Sequence, residues 1–76
     1  MHTQFLPWCP DADVFGETAA IKVGERLIDL VVTEGFDEKF YWEIVDGVTP
    51  LDSGDHETIE GARRSAENAA RRKIFS

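Results

Sequence analysis

The hydrophobic rhythm of the chain changes along its length. From Arg26 to Thr33 it alternates, with Ile28, Leu30 and Val32 on one side and Leu27, Asp29 and Val31 on the other. Phe40 to Asp46 alternates likewise, with Phe40, Trp42 and Ile44 against Tyr41, Glu43 and Val45. Successive side chains of an extended chain point to opposite faces, so both stretches predict strands. The faces carrying Leu30 and Trp42 are expected to be buried, and the mixed faces to be the wetter side of a sheet. Gly35 to Lys39 joins the two as a hairpin. Asp46-Gly47 marks a tight turn. Val48 to Leu51 then returns as a short strand, confined to an edge because Pro50 has no N–H for a ladder. Ala19 to Val23 reads as a further strand, turned back at Gly24-Glu25.

From Ile59 the period becomes three and four. Ile59, Ala62, Ala66, Ala69, Ala70 and Ile74 share one stripe, which predicts a helix over 58–74. Thr58 stands where a hydroxyl can accept from a free N–H of the first turn. Glu60 near the start and Arg71, Arg72 and Lys73 near the end suit the helix dipole. Gly61 is the weak position, costing about 1 kcal/mol relative to alanine. A stripe of alanines lets the axis lie close to a sheet. Asp52 to Glu57 reads as a polar connector. Phe5-Leu6-Pro7-Trp8-Cys9-Pro10 is apolar but broken by two prolines, and fits neither rhythm.

The expectation is therefore an α+β fold: a three- or four-stranded antiparallel meander with one C-terminal helix packed on one face and an irregular N-terminus. The 76 residues make one domain, with 1–18 irregular, 19–52 the sheet and 58–74 the helix. Sequential hairpins need only short connections. A single cysteine forms no internal disulfide. No apolar run approaches the roughly 18 residues of a membrane span, and the first twenty residues lack a secretory pattern. A cytoplasmic location with no membrane contact is expected.

Charge sharpens the picture. The net charge is −7, but residues 1–60 carry −11 and residues 61–76 carry +4. An acidic body with a basic tail is not the profile of the usual basic nucleic-acid binder. The acids Asp37, Glu38, Asp46, Asp52 and Asp55 lie at predicted turns and are the candidate contacts for a basic protein. Arg63, Arg64, Arg71, Arg72 and Lys73 are the alternative, as phosphate contacts. Glu60 and Glu67 interleave with them, and the acidic body would repel the same backbone, so direct nucleic-acid binding is the less favoured reading. The Phe5–Pro10 segment and an uncovered sheet face leave room for a homodimer.

No catalytic set emerges, and no cofactor or metal is assigned. Asp11, Asp13 and Gly16 start like a calcium loop, but Phe15 and Lys22 stand where ligands are required. Asp52, Asp55, His56 and Glu57 are the densest ligand types, yet too few for a structural zinc site. A solvated connector is the preferred reading for them. Cys9-Pro10 matches a dipeptide used in haem sensing, but a free thiol more often serves as a small hydrophobe. Tyr41 and Trp42 could stack bases only beside a basic groove, and their strand carries Glu43 and Asp46.

Ala20 to Ala70 resembles short hypothetical proteins of phages and other mobile elements. The matching pieces are Val23-Gly24-Glu25-Arg26-Leu27, Phe40 to Gly47, Asp52-Ser53-Gly54 and Thr58-Ile59-Glu60-Gly61-Ala62. Residues 1–18 lie outside the resemblance, which implies a fold and no activity. In size and acidity the chain is similar to anti-CRISPR proteins, which occupy basic nucleic-acid channels. The expected function is a non-catalytic acidic protein that docks on a basic, nucleic-acid-handling host protein or nucleoprotein complex, as an inhibitor of host defence. The alternative is a nucleic-acid accessory protein using the basic helix.

Overall fold

The two alternating stretches pair with each other, and the alanine-rich stretch is helical, within a sheet larger than the sequence pattern predicts. The computed structural model describes residues 3–75. Residues 1 and 2 of the expected N-terminal segment, and the last residue of the chain, lie outside the described residues. Five strands follow one another: β1 (Thr3–Asp11), β2 (Gly16–Val23), β3 (Arg26–Glu34), β4 (Phe40–Asp46) and β5 (Thr49–His56). Helix α1 (Ile59–Phe75) closes the chain. Strands adjacent in sequence are adjacent in the sheet, and every pair is antiparallel. The fold is α+β.

Two expectations are corrected. The segment expected to be irregular holds strand β1 and one 3-10 turn (Ala12–Val14). Its prolines are tolerated because β1 is an edge strand, and the register slips between Leu6 and Cys9, around Pro7 and Trp8. The polar stretch expected to be a connector is most of β5, which runs to His56. Its pairing with β4 shifts near Pro50, again at an edge.

The register separates the faces. Ile28, Leu30, Val32 and Ile44 are fully buried beneath α1, together with Ala62, Ala66, Ala69 and Ala70. Each buried Ile or Leu contributes about 1.5–3 kcal/mol of transfer free energy. Ala19 and Ile21 extend this core into β2, and Trp8, Trp42, Leu51 and Ile74 pack around it half-buried. Trp42 thus borders the core, with its ring over Gly54, where an added Cβ would come within 2.7 Å of it. Thr58 caps the helix as read, accepting from the Gly61 N–H at 3.0 Å. Gly61 itself is explained by the structure. A Cβ there would fall 2.1 Å from the His56 ring, which lies against the first helical turn.

The meander gathers its loops at two ends. The Ala12–Phe15 turn, the 35–39 hairpin loop and the connection from β5 to α1 lie at one end. The turns at Gly24 and Gly47 lie at the other. Strands of seven to nine residues hold the ends roughly 25 Å apart.

Candidate interaction surface

The five candidate acids do not form one surface. Asp37 and Glu38 sit in the 35–39 loop, and Asp55 lies across from Tyr41 near the same end. The Asp37 carboxylate accepts from the Tyr41 hydroxyl and from the Lys39 N–H. The hydroxyl donation holds the Asp37 carboxyl below the usual carboxylate range. The same bond pushes the Tyr41 phenol above its ordinary value. Asp46 is at the far end, ion-paired with Arg26 at 2.9 Å. Asp52 lies opposite Ile44 in mid-strand, and its carboxylate accepts from the Ser53 N–H at 2.9 Å.

Strand geometry also disperses the candidate ligand cluster. Asp55 and His56 are consecutive on β5 and so face opposite sides of the sheet. His56 is engaged with the helix start, its Nδ1 accepting from the Thr58 N–H at 3.2 Å. Among the described residues, no three His, Cys, Asp or Glu side chains are arranged to hold a metal ion. The Asp11 carboxylate accepts from the Asp13 N–H at 3.0 Å, capping the 3-10 turn. Cys9 is exposed on β1, opposite Thr18. Tyr41 and Trp42 face opposite sides of β4 and offer no common stacking platform.

The basic helix is partly neutralised from within the fold. Arg63 pairs with Glu17 of β2, and Arg71 lies 3.8 Å from Glu67. Glu67 also accepts from the Trp8 indole N–H at 3.1 Å, which ties the helix to β1. Arg64, Arg72 and Lys73 make no ion pair among the described residues. Among the same residues, no helix is long and apolar enough to cross a membrane.

Sequence reasoning missed two aromatic side chains at the loop end. Phe15 is 80% exposed and Phe36 is fully exposed. They belong to neighbouring turns, tied where the Glu34 N–H donates to the Phe15 carbonyl at 3.3 Å. Between the rings lies a concavity of about 490 Å³, floored by Thr33, Glu34 and Gly35. A second hollow, about 350 Å³, lies on the far side of Phe15 towards Phe40, Ile59 and Arg63. Phe15 holds a left-handed backbone (φ 54°), where a bulky side chain is a true outlier. The available signal was a large aromatic beside glycine within a polar turn, as Phe15-Gly16 and Gly35-Phe36. Glu34, Asp37 and Glu38 rim the same end.

No family model, curated protein or solved structure matches the chain.

Proposed function

We propose that this protein is a non-catalytic binding module that docks, through the carboxylates at its loop end, on a basic protein. The observation that carries the reading is that Glu34, Asp37, Glu38 and Asp55 lie at the end of the sheet that exposes Phe15 and Phe36, with Lys39 as the one base in the 35–39 loop. Paired potentials of opposite sign speed encounter and select partners. Nucleic-acid-handling host proteins present cationic channels of the complementary sign, so the reading extends to an inhibitor of such a protein in the manner of anti-CRISPR proteins. The helix is the weaker candidate because Arg63 and Arg71 already face carboxylates.

The test is capture of partners from host lysate on the immobilised protein, with and without nuclease and across a salt series. A Asp37→Lys, Glu38→Lys, Asp55→Lys variant runs in parallel. The expected result is a basic protein retained after nuclease, released by salt, and lost with the triple variant. Asp46→Lys, at the other end, should leave retention intact. Retention that disappears with nuclease would transfer the function to Arg64, Arg72 and Lys73 and end the proposal.

A further inference from the structure

We propose that the concavity between Phe15 and Phe36 receives one apolar side chain of that basic partner, of leucine, methionine or phenylalanine size, flanked by lysine or arginine. The inference rests on the acidic docking reading and adds its anchor. Two phenylalanines on adjacent turns, one 80% and the other fully exposed, bury little of their own. Joined in one concavity, they form an apolar patch of the kind that marks an interaction site. Interfaces concentrate their binding energy in a central apolar pocket, with polar contacts around it that exclude water. Here the centre is Phe15 and Phe36 over Thr33, Glu34 and Gly35, and Asp37 and Glu38 follow Phe36 in the same loop to complete the acidic rim of this end.

The rim charge decides the occupant. A second copy meeting this end by two-fold symmetry would set the same carboxylates against each other. A nucleic acid or an anionic lipid surface would be repelled in the same way. A protein segment with cations flanking an apolar side chain satisfies the rim and the centre together. The backbone of Phe15 is consistent with that use. Residues in sparsely populated conformations persist where the surrounding structure enforces them, and they gather at ligand clamps.

The experiment is an amide NMR titration at low salt with two synthetic peptides. One carries a central leucine flanked by lysine and arginine, and the other has serine in its place. The leucine peptide should bind tighter by on the order of tenfold, as burial of one apolar side chain implies. Its shifts should centre on Gly16, Glu34 and Gly35. Phe36→Ser removes a fully exposed side chain and should keep the fold. It should erase the preference for leucine, so that the two peptides bind alike. Asp37→Lys, Glu38→Lys should weaken both peptides. Equal affinities that fall together in the lysine variant would overturn the anchor and leave the acidic docking surface standing. Failure of both peptides to bind would overturn both.

Discussion

The two ends of the sheet solve the same problem in different ways. Each must reverse the chain at turns that need a left-handed residue. At one end these positions are Gly24 (φ 63°) and Gly47 (φ 65°), residues that adopt the conformation without steric cost. At the other end they are Phe15 (φ 54°) and Glu38 (φ 65°), which do so at a cost of about 1–2 kcal/mol for a non-glycine residue. The glycine end is built as folding alone would build it. The aromatic end keeps an exposed ring and a carboxylate where glycine or asparagine would be more stable. Local rules are broken at functional sites more often than elsewhere, and here the breach coincides with the exposed phenylalanines and the acidic rim.

The core between the ends sets the largest effect. Leu30 is fully buried midway along β3, so Leu30→Ala should cost about 3 kcal/mol. A chain with one small core should lose both ends together, and amide exchange would show their protection falling in parallel. Protection lost at one end alone would show that the ends are separate cooperative units. Gly47→Ala probes the glycine end: nothing lies within 4 Å of an added Cβ, so its cost is conformational, about 1 kcal/mol. Phe15→Asn is its counterpart and should have the opposite sign, a gain of about 0.5–1 kcal/mol in chemical denaturation. A loss instead would mean that the Phe15 ring contributes to the fold, and the contrast between the ends would fail.

What the sequence revealed follows from which forces shape each element. β3 and β4 pack one face on the helix, so burial writes a period of two into Ile28, Leu30, Val32 and Trp42, Ile44. The helix is equally legible because four alanines must fit against the sheet. β1 was missed, and β5 was read only from Val48 to Leu51, because they are edges, each held on one side by a backbone ladder that leaves little trace in side-chain pattern. Pro7 and Pro10 disguise β1, while Asp52, Ser53, Gly54 and Asp55 disguise β5. The acids were visible as a composition bias, but their grouping was not. β4 carries the 35–39 loop and Asp46 to opposite ends, and no local pattern encodes that separation. Phe15 and Phe36 belong to turns, where no periodicity exists to mark them.

The contact between Tyr41 and Asp37 gives the smallest effect and the sharpest signature of the aromatic end. Asp37 titrates below the ordinary carboxylate value of 3.8 because the Tyr41 hydroxyl donates to its ionised form. A lowered carboxyl favours the folded state above that ordinary value, and the benefit is lost as pH falls through the lowered one. Tyr41 titrates above its ordinary value of 10.0 because Asp37 accepts from the protonated phenol. A raised phenol favours the folded state below that value, and the benefit is lost as pH rises through the raised one. The stability difference between wild type and Tyr41→Phe should therefore be level from about pH 5 to 9 and shrink on both sides. Ultraviolet titration of the phenol should place its midpoint above 10, and Asp37→Asn should bring it back towards the ordinary value. A difference that stayed constant down to about pH 2 would show that the hydroxyl acts through packing, and would detach Asp37 from the strand that holds it at the rim. A midpoint unmoved by Asp37→Asn would point to the neighbouring Asp55 as the source of the shift, which keeps the acidic end but relocates its centre onto β5.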